Sequence, residues 1–163
     1  MTTSNTSAST GLLGYFRIDA PGARFQPAAW RFVLASAVAV VGSVAACAIV
    51  AQIWMLADPA TRGYDHFRFM DYTKLTVIGV VIACLGWPIA AALSSRARRL
   101  YVWAAYAVTI VSFAPDGWIL LHGQSPSGVL GLAVMHVAVA VVTYWAVVLI
   151  APQRDRPATT TSR

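Results

Sequence analysis

The chain has 163 residues, of which 58% are hydrophobic and 11% charged, with a formal net charge of +6. Soluble globular domains carry about 25% charged residues, and here long stretches carry none. That excludes a disordered chain, a coiled coil, a disulfide scaffold and an ordinary water-soluble enzyme, and leaves an integral membrane protein.

Residues 1–29 read as a polar, flexible cytoplasmic segment. The first ten, MTTSNTSAST, have too little apolar content to fold alone. In the following stretch Leu12, Leu13, Tyr15, Phe16 and Ile18 are expected to dip into the inner leaflet, with Pro21 and Pro27 limiting any helix to about two turns. The first long apolar run begins at Phe32 and is of span length, so it reads as a retained helix rather than a signal peptide.

A hydrocarbon core about 30 Å thick takes about 20 mostly apolar residues per helix. Four segments within residues 30–151 qualify: 32–57 and 75–93 without charge, 100–121 with Asp116, and 129–151 with His136. Backbone polar groups in lipid must be satisfied within the segment, and the alternating pattern of a barrel is absent. The expected fold is all-α, a four-helix transmembrane bundle, with residues 152–163 as a flexible cytoplasmic tail.

The connectors give the orientation. Arg17, Arg24 and Arg31 precede the first span, Arg96, Arg98 and Arg99 lie between the second and third, and Arg154, Arg156 and Arg163 follow the fourth. The first connector balances Arg62, Arg68 and Lys74 with Asp58, Asp65 and Asp71, and the third has no permanent charge. The positive-inside rule therefore places both termini in the cytoplasm, with Arg96, Arg98 and Arg99 setting topology. The basic excess is expected to meet lipid headgroups. No basic stripe with interleaved aromatics speaks for nucleic acid. Trp30, Trp54, Trp87, Trp103, Trp118 and Trp145 lie mostly toward span ends, as in an interfacial belt.

Residues able to carry chemistry are few. Glutamate is absent, as are the nucleophile elbow, the phosphate-binding loop and the dinucleotide fingerprint. Cys47 and Cys84 stand alone in the first two spans, as packing groups or as an inter-helix disulfide. Ionisable groups inside spans face the bundle interior or a wet cavity, which directs attention to Asp116 and His136. At 1.5 Å per residue they lie about 8 and 10 Å from the outer ends of neighbouring antiparallel helices. The pair is either a proton-handling or ligand-binding site, or a polar clasp satisfying groups freed by Pro115. Pro115 and Gly117 are expected to kink or locally unwind the third helix, and Pro88 to bend the second. Asp65, His66, Asp71 and His122 could meet a divalent metal at the outer face, or form a solvated loop. No second span histidine matches the depth of His136, so haem is not expected, nor is any other cofactor. Gly42 and Ala46, Gly79 and Ala83, and Gly86 and Ala90 have the spacing of close helix contacts.

The stretch from Thr73 to Pro152 has a second span ending in SSRARR, a Pro-Asp-centred third span and VMHVAVA in the fourth. It resembles the small actinobacterial four-helix membrane proteins grouped as domain of unknown function 6069. That resemblance implies a multi-pass protein of the bacterial plasma membrane and places Pro115, Asp116, Met135 and His136 in the family pattern. The expected role is a non-enzymatic accessory or interaction subunit, a homo-oligomer or part of a larger membrane complex. The alternative is a small transport or proton-coupled component using Asp116 and His136.

Overall fold

The computed structural model describes residues 12–20 and 22–154. The described residues form a short helix α1 (Leu12–Phe16) and four long helices, α2 (Ala29–Ala57), α3 (Phe69–Leu93), α4 (Ala97–Leu121) and α5 (Pro126–Ile150). All four long helices are long and apolar enough to cross a membrane. The chain is thus an all-α, multi-pass membrane protein.

The helices begin earlier than the apolar runs suggest. α3 starts at Phe69 because its first turn, with Asp71, is amphipathic and carries an acid at the positive end of the helix dipole. α4 takes in Arg98 and Arg99 and is the least apolar of the four spans. α5 starts at Pro126, a residue suited to a first helical position, with the Ser125 side chain accepting from the Gly128 N–H. Pro88 and Pro115 both lie inside unbroken helices, as does Gly117. The local unwinding suggested by Pro-Asp-Gly does not occur.

Around the bundle α2 packs on α3 and α5, and α4 on α3 and α5, with α2–α5 the most extensive pairing. The buried stripe of α2 is Ala35, Ala39, Ser43, Cys47 and Ala51. These residues recur every fourth position, so one narrow, small-residue seam faces the partners. Ser43 Oγ meets Thr143 Oγ1 at 3.3 Å midway along α2–α5. Of the expected close-contact glycines, Gly42 abuts Val142 on α5, whereas Gly79 has nothing within 4 Å of a would-be Cβ.

One end of the bundle is knitted by the segments that flank the long helices. The Ala20 N–H donates to Leu93 O and the Arg154 N–H to Phe25 O. Ile18 bridges Ser94, and Asp19 accepts from the Ser95 N–H at 2.8 Å. Gln153 donates to the carbonyls of Ala91 and Ser94 and accepts from the Ala97 N–H, closing both ends of the α3–α4 junction. So the stretch expected as a flexible lead-in is, in its described part, docked on the SSRARR connector. The first two tail residues after Pro152 are pinned there too. Backbone groups at helix ends need partners, and these segments supply them. The side chains of Leu12, Leu13, Ala23 and Arg24, residues 1–11, Pro21 and residues 155–163, with Arg156 and Arg163, lie outside the described residues.

Two of the topology-setting arginines also make contacts. Arg98 donates to Tyr144 Oη at 3.3 Å and lies over Trp145, while Arg99 lies 4.9 Å from the Tyr15 ring centre. Trp30, Trp103, Trp118 and Trp145 are exposed, as lipid-facing aromatics would be. Trp87 instead is 1% exposed, in a core with Ala35, Ala91, Tyr101 and Val147.

Candidate functional site

Near the opposite end of the bundle from the α3–α4 connector, a cavity of about 470 Å³ lies among all four long helices. Tyr101 on α4 holds α3 and α4 together near their shared connector, donating to Ala83 O and packing against Trp87 and Gly86. Farther along, the cavity occupies the space between them. α3 contributes Asp71, Tyr72, Leu75, Thr76 and Gly79, and α4 contributes Ser112, Pro115, Asp116 and Ile119. Leu132, Met135, His136 and Val139 of α5, Cys47 of α2, and His66 from the first connector complete it. Each helix repeats at three or four residues, so one face of each turns inward.

Asp116 is the most buried charged side chain of the site, 9% exposed, and its Oδ2 lies 3.1 Å from His136 Nδ1. That contact is not a hydrogen bond. His136 Nδ1 also lies 3.0 Å from Leu132 O, and a carbonyl can only accept, so the Nδ1 hydrogen is directed at the helix's own backbone. Asp116 Oδ2 is left buried without a hydrogen-bond partner among the described residues. An unsatisfied buried polar atom of this kind costs about 1–3 kcal/mol or more. It is the kind of defect that a functional site retains.

The hydroxyls nearby do not relieve it. Ser112 donates to Thr109 O at 2.7 Å, and Thr76 Oγ1 lies 3.6 Å from Cys47 Sγ. The Tyr64 hydroxyl is also buried without a partner among the described residues. Burial, and then the charge of Asp116, push that phenol above its ordinary pKa. Tyr64 is wedged against Gly128, where a Cβ would meet its ring at 3.0 Å.

The four residues weighed as an outer-face metal set separate. His66 and Asp71 line the cavity. Asp65 pairs with Arg68 at 2.9 Å on the exposed surface. His122 turns back to Trp118 O at 2.8 Å. Among the described residues no group of three or more His, Cys, Asp or Glu is placed to hold a metal ion. Cys47 and Cys84 are buried free thiols, so the disulfide alternative falls away.

Sequence reasoning found Asp116 and His136 but treated His66 and Asp71 as a separate outer loop, and missed Thr76 and Ser112. Ser112 lies four residues before Asp116 and so shares its helix face. That spacing was the available signal.

No curated protein and no solved structure matches the chain. The model of the Family of unknown function (DUF6069) matches residues 26–152, which take in the four long helices and every cavity-lining residue. The chain belongs to that family.

Proposed function

We propose that this is a non-enzymatic protein of the bacterial plasma membrane, with both termini cytoplasmic, acting as a small transport or proton-coupled component through the Asp116–His136 cavity. The observation that carries the reading is Asp116, which lines a cavity of about 470 Å³ and whose Oδ2 is buried beside His136 without a hydrogen-bond partner among the described residues. A clasp serving stability alone would complete its hydrogen bonds, since an unmet buried group costs more than the bond returns. The orientation rests on the basic residues gathered at the end where the termini meet the SSRARR connector. In that orientation the cavity lies toward the outer end of the bundle. The bacterial assignment is supported by the high Ala, Val and Arg content and the single lysine, Lys74.

The test is proton flux in liposomes containing the purified protein, read with an internal pH dye under an imposed gradient. Flux above that of empty vesicles, lost in Asp116→Asn, is the expected result. Flux equal to empty vesicles removes proton coupling.

A second reading, an accessory or interaction subunit, draws on α4. Only Ala97, Tyr101 and Asp116 of that helix are buried, leaving a long apolar surface for lipid, a second copy or another membrane protein. Purification in mild detergent with a stoichiometric partner would favour it.

A further inference from the structure

We propose that the cavity takes a small organic cation, a primary ammonium on an apolar body, with the ammonium held by Asp116. This rests on the reading above that the cavity is the functional site.

The donors and acceptors of the cavity argue for it. Its charged lining groups are Asp71 and Asp116, with no lysine or arginine among the lining residues. The Nδ1 hydrogen of His136 is directed at Leu132 O and the hydroxyl hydrogen of Ser112 at Thr109 O. What remains for an occupant is chiefly the Asp116 carboxylate, which lines the space. An occupant that completes this site must bring hydrogen-bond donors, and a positive charge makes the bond to a carboxylate about twice as strong as a neutral one. The rest of the wall sets the other half of the ligand. Leu75, Leu132, Met135 and Val139 are apolar, and Tyr72 places an aromatic ring beside them. A sugar or a hydrated metal ion would leave its polar groups unmet against such walls. A volume of about 470 Å³ falls within the range of small-molecule sites, roughly 300–1,000 Å³. Asp71, exposed at the start of α3 and also lining the cavity, carries charge of the same sign and would steer cations inward.

The probe is 2-phenylethylammonium, titrated into the full chain in nanodiscs of phosphatidylcholine and phosphatidylglycerol. The neutral comparator is 2-phenylethanol. Saturable binding of the ammonium is expected, weakened at least about tenfold by Asp116→Asn and at least about tenfold stronger than that of the alcohol. Thermal unfolding of each variant checks that it is folded. Gly79→Leu, at a lining position where a Cβ meets open space, fills the cavity without touching the carboxylate and should weaken binding too. Equal binding of ammonium and alcohol, or binding unchanged in Asp116→Asn, overturns the proposal. Adding phosphatidylethanolamine to the disc distinguishes the source. Competition assigns the ammonium to a lipid headgroup, and unchanged affinity assigns it to a free amine. Asp116-dependent proton flux without ammonium binding overturns the cation and leaves the proposed function standing. Ammonium binding without flux does the reverse.

Discussion

Trp87 on α3 donates its indole N–H to the carbonyl of Ala151, the residue that closes α5, at 2.7 Å in a buried setting. Two helices that do not adjoin in sequence are thereby locked at the end where residues 18–20 and 153–154 dock. Trp87→Phe keeps most of the apolar contact with Tyr101 and Val147 but leaves the Ala151 carbonyl unmet. We expect a loss of about 1–3 kcal/mol, measured by denaturant or thermal unfolding in detergent. An unchanged midpoint would show that the bond contributes nothing.

Asp19 gives the docked N-terminal segment a pH dependence. The Ser95 hydroxyl alongside it and the Ser95 N–H hold its carboxyl below the usual aspartate value. A depressed folded pKa adds stability that is complete above the unfolded value, about 3.9, and lost as pH falls through the folded one. The group is exposed, so the effect is local. Hydrogen exchange at the Ser95 amide, corrected for intrinsic pH dependence, should stay slow at neutral pH and rise below that range. In Asp19→Ala it should be fast throughout.

The glycines of α5 and α4 should respond in opposite directions. A Cβ at Gly131 would lie 2.6 Å from Phe67 Cζ and 3.2 Å from Trp54 Cγ, whereas one at Gly117 meets nothing within 4 Å. Gly131→Ala should destabilise by about 1–3 kcal/mol through overpacking. Gly117→Ala should gain about 0.5–1 kcal/mol from helix propensity. Unfolding midpoints of the two variants, compared side by side, check this.

Much of the architecture was legible because lipid allows so few solutions. An uncharged run of span length must become a helix, and the ionisable groups Asp116 and His136 had to turn inward. The docking of residues 18–20 on the SSRARR connector was not legible, since it depends on backbone partners such as Leu93 O and on Gln153, which reads as tail. The cavity was half legible. Asp116 announces itself in an apolar span, whereas Ser112, Thr76 and Tyr72 look like ordinary residues until α3 and α4 are placed. The reading of Gly79 as a close helix contact failed for a related reason. Gly79 has the small-residue spacing but faces the cavity, while Gly128 and Gly131 are needed because the rings of Tyr64 and Phe67 fold onto α5.

Asp116 and His136 meet at 3.1 Å without a hydrogen bond, so their energetic coupling should be modest. A double-mutant cycle with Asp116→Asn and His136→Ala should give about 0.6 kcal/mol, the average for intramembrane polar pairs. Asp116→Asn by itself should be at least as stable as the parent chain, because it removes a buried, incompletely bonded carboxylate. A loss of several kcal/mol would return Asp116 to a purely structural role.

The central claim is that Asp116 lines a water-accessible, negatively charged cavity. Ser112→Cys, with Cys47 and Cys84 replaced by alanine, puts one thiol on its wall four residues from that carboxylate. Reaction with a membrane-impermeant trimethylammonium methanethiosulfonate, added from the side opposite the termini, is compared with its sulfonate counterpart of similar size. The account predicts that the cationic reagent reacts faster, by about tenfold or more relative to their intrinsic rates, and that Asp116→Asn abolishes the difference. A thiol inert to both reagents, or equally reactive with both, would contradict it.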